Sequence, residues 1–514
     1  MNSRSIEYFD EAIALKPDKS TLFTAHYNRG VAYFRQGDYD RALEDYTKAL
    51  ELSLNKADEA EVYFDRGIAH FHSGKCNLAI DDYTEALKQK PNCAEVYHNR
   101  GVAYRIMGDL DKALTNFNKT IELKPYYSTP YNSRGLVFYK QGDLDRAIKD
   151  FTEAVRLDPN YFEAFCNRGV AYDYKSETDC AVRDYSRAIQ LNPNYTEAYY
   201  NRGLAYCSLP DYRLAVSDFT KAIELRSDFA QPYNSLGVVY SNKGEFDKAI
   251  EVYSKAIELK PNFAEAYTNH GIAFREQREF EKAMEGHEKA IELQPDYAPA
   301  YVNRGLVYYD LTEYDKAIED YDKAIELDPN LSQAYNNRGN AYRRKRNPDH
   351  AICNYEKAIE LKPDYAEPYN NRGSVHSDKG EYDRAIKDYS KAIELNPKLA
   401  KPYSNLGTAY FHTKQPDLAM KYYNKAIKRD PNDGDTYYNH AEVWLSLGKW
   451  DKARKDLETA RDKEVDIIVA FRNDFECVKD FEEKFGVNLP PDIASMLTKE
   501  PPGTAIRSEN QLAE

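Results

Sequence analysis

The sequence predicts an all-α solenoid: a linear stack of helix pairs, closed at its C-terminal end by a short helical cap. Three observations carry this reading. First, the phrase Ala94-Glu95-Val96-Tyr97-His98-Asn99-Arg100-Gly101-Val102-Ala103-Tyr104 recurs with its glycine at Gly30, Gly67, Gly101 and every 34 residues onward to Gly407, and Ala441 takes the place in a thirteenth copy. Only the first interval differs, at 37 residues. Second, alanine stands twelve places after the glycine in all thirteen copies, from Ala42 to Ala453, and nineteen places after it in all but the copy with Thr120. Third, each copy holds two helix-length stretches, and a proline such as Pro91, Pro261 or Pro431 closes ten of the thirteen. A repeat this short cannot bury its own apolar face, so it must stack on its neighbours.

The elements follow in order. Residues 1–23 form a half-repeat cap, in which Tyr8, Ala12, Ile13 and Leu15 give an apolar helical stripe that ends at Pro17. Residues 24–464 hold the thirteen repeats. Their first helices carry the Tyr-x-Asn-Arg-Gly phrase. A turn follows, with glycine at Gly37, Gly74, Gly108, Gly142, Gly244, Gly380 and Gly448, and then a second helix of the type Asp247–Ile257. Small residues at fixed places let the two helices approach closely, and aromatic rings four before the glycine (Tyr97, Tyr131) and sixteen after it (Tyr83, Phe117, Phe219) fill the space around them. The 45 tyrosines are therefore mainly core filler. Residues 465–498 form a C-terminal cap. Ile467, Ile468, Phe471, Phe475, Val478, Phe481 and Phe485 fit one helical stripe, Gly486 and Asn488 suit its stop, and Pro490-Pro491-Asp492 suit a new short helix. Residues 499–514 have the composition of a disordered tail.

Composition narrows the function. A net charge of -14 argues against nucleic acid or an anionic membrane as the main partner. The seven cysteines are scattered, odd in number and never spaced CxxC, which favours a reducing compartment. The first twenty residues hold no apolar run of signal-peptide length, and no stretch approaches a membrane span. The expected location is the cytoplasm.

The 34-residue period with Gly, Ala, aromatic, Ala and Pro at fixed offsets resembles the tetratricopeptide repeat family from Ile6 to Glu464. The resemblance implies a right-handed superhelix of about 13.5 repeats, with the first helix of each pair lining a concave groove that binds peptides or extended protein segments.

One departure from the family pattern is informative. Before the glycine, where the family ordinarily has leucine, nine copies have arginine: Arg29, Arg66, Arg100, Arg134, Arg168, Arg202, Arg304, Arg338 and Arg372. Fifteen places after the glycine the same copies hold Asp45, Asp82, Asn116, Asp150, Asp184, Asp218, Asp320, Asn354 and Asp388. Where arginine is replaced the partner goes too: Leu236 with Val252, His270 with Gly286, Leu406 with Tyr422. Only His440 keeps its acid, Asp456. The expectation is a structural ion pair inside each repeat, as at Arg29–Asp45, Arg202–Asp218 and Arg304–Asp320, because a guanidinium satisfies a carboxylate through two hydrogen bonds. The rival is that these arginines bind a ligand's phosphate or carboxylate.

Candidate binding residues fall into three sets. Two places before the glycine, ten copies have asparagine: Asn28, Asn99, Asn167, Asn201, Asn269, Asn303, Asn337, Asn371, Asn405 and Asn439. A carboxamide can donate to and accept from a peptide group whatever its side chain. The row is similar to the asparagine ladder in the repeat arm of protein O-linked N-acetylglucosamine transferases. The alternative is an inter-helix hydrogen bond within the array. Groove aromatics in the first two copies, Tyr27, Phe34, Phe64, Phe71 and His72, are candidate anchors, with packing of Phe34 and Phe71 against the half-repeat cap as the competing role. In the tenth copy, Arg343-Arg344-Lys345-Arg346 is the strongest basic run. Asn340, Asn371 and Lys401 match three of five positions of the carboxylate clamp with which some family members grip chaperone tails; Asn336 and Asn405 stand where that clamp has Lys and Arg, and Arg343 could supply charge. One place after the glycine the chain is aliphatic from Val31 to Leu306 and then polar at Asn340, Ser374 and Thr408, which points to two binding segments.

There is no GxGxxG, GxxxxGK[ST], HExxH or paired CxxC, so no catalytic residue, metal site or cofactor is expected. The functional expectation is a non-enzymatic scaffold for extended or acidic protein segments. The alternatives are an arm that recruits substrates, or chaperone tails, for a separate enzyme, and a structural protein that self-associates.

Overall fold

The computed structural model describes residues 2–15, 17–53 and 55–498. Among them are thirty helices and no strand. The helices fall into two compact units, Met1–Lys260 and Pro261–Glu514. Within each unit every repeat is a helix pair such as Ala94–Met107 with Leu110–Leu123, and each first helix also packs on the second helix of the repeat before it. The region 499–514, read above as a disordered tail, lies outside the described residues.

The local rule is set by one close approach. The ring sixteen places after the glycine presses against the glycine itself: a Cβ on Gly203 would come within 2.6 Å of Phe219 Cε1. Tyr46, Tyr83, Phe117, Phe151, Tyr185 and their equivalents are buried there between alanines. Copy thirteen tolerates Ala441 because Leu457, which is smaller than a ring, stands opposite. The turn after each first helix needs a left-handed residue. Gly37 supplies it at φ +80°, and where glycine is missing Thr312 (+63°) and Arg346 (+55°) adopt the same conformation.

Both ends differ in detail from the sequence expectation. The N-terminal helix, Asn2–Ala14, packs on Lys19–Arg35 through a half-buried face that includes Ile6, Phe9, Ala12 and Ile13. Tyr8 and Leu15 are 69% and 82% exposed, so they do not belong to its buried stripe. The first helix of the first repeat starts at Lys19, upstream of Thr24, because the Asp18 carboxylate caps it by accepting from the Ser20 and Thr21 backbone N–H groups. At the other end the predicted single stripe is two helices, Ile467–Asp474 and Val478–Phe485. The chain turns extended at Phe475 and Cys477, and this folds Phe471, Phe475 and Phe481 onto one another. Gly486 (φ +67°) ends the second helix, and Pro491–Thr498 follows. Together with Tyr438, Leu445 and Leu457 of the last repeat these helices share one core, in which Ile493 and Leu497 are fully buried.

Candidate interaction site

The arginines sit where the two helices of a repeat meet. Arg202 Nε and Nη2 donate to Asp218 Oδ2 and Oδ1 at 2.7 and 2.8 Å. The same fork joins Arg29 to Asp45 and Arg304 to Asp320, each at 2.7–2.9 Å. Where asparagine replaces the acid, a single bond remains, as from Arg100 to Asn116 and from Arg338 to Asn354. Sequence reasoning missed the third nitrogen. Nη1 reaches the second helix of the preceding repeat: Arg66 to Thr47, Arg100 to Thr84, Arg168 to Thr152, Arg202 to Ser186. The signal was present, since the position seventeen after each glycine is polar in every copy. These guanidiniums are thus consumed within the array.

The polar residues at Asn340, Ser374 and Thr408 also have partners inside their own repeats. Each of these side chains meets the hydroxyl of the buried tyrosine fifteen residues on. Tyr355 donates to Asn340 Oδ1 at 2.8 Å, Thr408 and Tyr423 are 2.9 Å apart, and Tyr389 and Ser374 are 3.4 Å apart. In the ninth copy Leu306 stands in that place, and the Tyr321 hydroxyl is buried with no partner.

The asparagine row is half-buried except for Asn337, which is buried. Several carboxamides spend one amide hydrogen inside the array. Asn167, Asn371 and Asn405 donate to Asn132, Asn336 and Asn370 of the preceding repeat at 2.9–3.0 Å. Asn201 donates to Cys166 Sγ, while Asn28 and Asn303 donate to carbonyls of their own helices. Asn99 and Asn269 are half-buried, and Asn439 lines two cavities. Asn337 Nδ2 has no partner, because the residue that would accept is Val302.

The aromatic candidates are packed rather than presented. Tyr27 stacks on Phe23 and donates to Asp65 at 2.7 Å. Phe64 lies on Tyr83. Phe34 packs against Tyr39 and His72, and Phe71 against His72 and the Tyr83 cluster. Both therefore face their own and the following repeat, not the half-repeat cap.

The clearest convergence is in the second unit. Asn340, Arg343, Arg344, Arg346, Asn371, Lys401 and Asn405 line one cavity of about 760 Å³. Arg343 is paired with Asp378 at 2.9 Å, and Arg344 donates to the Tyr309 hydroxyl. Among the described residues Lys401 and Arg346 form no salt bridge, and both are exposed. No group of three His, Cys, Asp or Glu comes together as a metal site among the described residues, and no helix there is long and apolar enough to cross a membrane.

Repeated helix pairs that stack on one another within each unit define the class of helical-repeat solenoids. Tetratricopeptide repeat models match residues 23–55, 94–127, 230–263, 298–331, 332–365 and 400–433, and further models of the same repeat match 135–173, 174–209, 196–229, 271–311, 354–387 and 377–414. The chain belongs to the tetratricopeptide repeat family. No curated protein matches the sequence. Among solved structures, a chain of the APC/C hetero-tetramer Cut9-Hcn1 is similar in fold, with 18% identity, 92% of this chain and 97% of that chain covered, and a TM-score of 0.50. Yeast Tom70 matches at 22% identity over 79% of this chain and 92% of that one, with a TM-score of 0.39. YrrB, described as a TPR protein with an unusual peptide-binding site, matches at 26% identity over 36% of this chain and 95% of that one, with a TM-score of 0.31.

Proposed function

We propose that this protein is a binding scaffold that holds an extended, partly acidic protein segment against the first helices of its repeats, and that it works by binding rather than catalysis. The observation that carries the reading is the cavity around Arg343. Asparagines from successive repeats stand there beside cations that the array leaves uncommitted. Asn371 keeps a second amide hydrogen for a peptide carbonyl, Asn405 holds one only by a long 3.5 Å contact to Ser374 Oγ, and Arg346 and Lys401 offer charge to a carboxylate. Asn340, Asn371 and Lys401, the three clamp-like positions, line the same cavity, which favours a chain-terminal acid as one form of the ligand.

The test is titration of the full chain with a fluorescent acidic peptide, carrying either a free or an amidated C-terminus. Changing Asn337, Asn371 and Asn405 together to Ala is expected to weaken binding of both forms at least tenfold. Lys401→Ala with Arg346→Ala is expected to weaken it further as salt is lowered, where the charge contribution is largest. A preference for the free carboxylate supports a tail-gripping adaptor. Equal binding by the wild type and the triple variant would refute the reading.

A further inference from the structure

Beside the last repeat and the C-terminal cap lies a second kind of cavity, of about 500 Å³. Its walls are aromatic. Phe411 of the twelfth repeat stacks on Phe485 of the cap, with centroids 5.5 Å apart and planes at 14°, and Phe475 meets Phe485 edge-on at 6.1 Å. Its charged groups are two acids, Glu442 and Asp474, and two lysines, Lys414 and Lys484. Glu442, on the helix Gly434–Ser446, lines the cavity at 8% exposure and has no hydrogen-bond or ion-pair partner among the described residues. Asp474 lines it as well and accepts from the Tyr438 hydroxyl at 3.2 Å. A carboxyl group this buried ordinarily has a partner. The rings already show an affinity for positive charge: Lys484 Nζ lies 4.7 Å from the Phe475 centroid and 5.5 Å from that of Phe485.

We propose that this cavity receives a basic side chain, lysine or arginine, from a bound protein segment, with Glu442 and Asp474 as counter-ions and Phe411, Phe475 and Phe485 as its walls. An apolar stem tipped by a cation fits aromatic faces closed by a carboxylate. The inference deepens the binding reading above, because the cavities adjoin. Asn439 and Asp474 also line a neighbouring cavity together with Lys401 and Asn405, and those two line the basic cavity around Arg343. A segment lying along Asn371, Asn405 and Asn439 would set an acidic residue toward Arg343 and a basic one toward Glu442.

The charged and titratable groups facing Glu442 are Asp474, Lys484, His412, Lys414, Tyr423 and Tyr438. Burial, and then Asp474, push the Glu442 carboxyl up to about 8, against a weaker opposing pull from Lys484. Burial holds the His412 imidazole below its usual range, which leaves Lys414 and Lys484 as the cations lining the cavity, and an incoming cation must displace Lys484 from the Phe475 and Phe485 rings. At pH 7 the Glu442 carboxyl therefore holds a proton, which an arriving cation expels. Affinity for the cation then rises with pH until about 8.

The probes are N-acetyl-L-argininamide, N-acetyl-L-lysinamide and the neutral isostere N-acetyl-L-citrullinamide, added to the full chain and followed by ligand-observed NMR. The cations are expected to bind at least tenfold more tightly than citrullinamide, with proton release and with affinity rising from pH 6 to 8. Glu442→Gln is expected to abolish that preference while leaving the thermal melt unchanged or raised, since a neutral isostere replaces an unpartnered buried acid. Asn371→Ala with Asn405→Ala is expected to leave argininamide binding intact. Loss of acidic-peptide binding with argininamide binding retained therefore bears on the groove alone. The proposal is overturned if wild type binds citrullinamide as tightly as argininamide, or if Glu442→Gln keeps the preference.

Discussion

Tyr321 and Tyr355 occupy the same place in consecutive repeats, and their hydroxyls have opposite fates. Tyr355 donates to Asn340, whereas the Tyr321 hydroxyl is buried without a partner, and Leu306 holds the position that Asn340 has in the next copy. A buried unsatisfied hydroxyl carries its full desolvation penalty, on the order of 1–3 kcal/mol, while a satisfied one contributes about 1 kcal/mol. Tyr321→Phe is therefore expected to stabilise the protein by about 1 kcal/mol, and Tyr355→Phe to destabilise it by about the same amount. Chemical denaturation monitored by circular dichroism would read both, and equal signs would contradict the account. At this scale the sequence was legible wherever a residue recurs in register. Gly203 and Phe219 could be paired by period alone, and so could Arg202 and Asp218. The partner of Asn340 was not legible, because the switch from aliphatic to polar looks the same whether the side chain faces a ligand or a tyrosine in its own repeat.

The arginine fork is what turns separate helices into a repeat, and its third nitrogen turns repeats into a stack. Arg202 holds Asp218 by two bonds and Ser186 of the preceding pair by one. Asp218 is 4% exposed. Replacing Arg202 by leucine strands that acid, so a loss of about 3–5 kcal/mol is expected. Asp218→Val in the same chain recreates the Leu236–Val252 combination of the seventh copy and is expected to recover more than half of the loss. Urea titrations of wild type, both singles and the double give the coupling directly, and additive losses would mean that the pair does not act as a pair. Element boundaries were less legible than element types. The cap read as one helix because its apolar spacing runs unbroken from Ile467 to Phe485, and periodicity cannot see the extended residues at Phe475 and Cys477 that fold the stripe back on itself. Two of the four residues read as the half-repeat's stripe were misplaced for the converse reason: Tyr8 and Leu15 are apolar by composition, yet they stand exposed.

A solenoid distributes its stability along its length, as a sum of repeats and of the contacts between neighbours, so one atypical copy becomes a weak point of the whole chain. The eighth copy is such a place. His270 and Gly286 replace the ion pair, and His287 replaces the ring that in other copies packs on the glycine. His287 is fully buried, and both its ring nitrogens lack partners. Burial drives its pKa down to about 3, so it remains neutral in the folded chain at pH values where the unfolded chain, with an ordinary pKa near 6.5, takes up a proton. Between those two values unfolding binds a proton, and stability falls as pH falls, by up to about 1.4 kcal/mol per pH unit for this one group. The buried His98, pushed down to about 4, acts in the same direction. His287→Phe puts at this site the residue that Phe117, Phe151 and Phe219 provide in other copies. It is expected to raise stability by about 1–2 kcal/mol at pH 7 and by more at pH 5, flattening the acid side of the stability profile. Hydrogen exchange should show slower opening over 264–293 in the variant than in wild type. An unchanged acid slope together with unchanged exchange in that segment would mean that the weakness of the array lies in another copy.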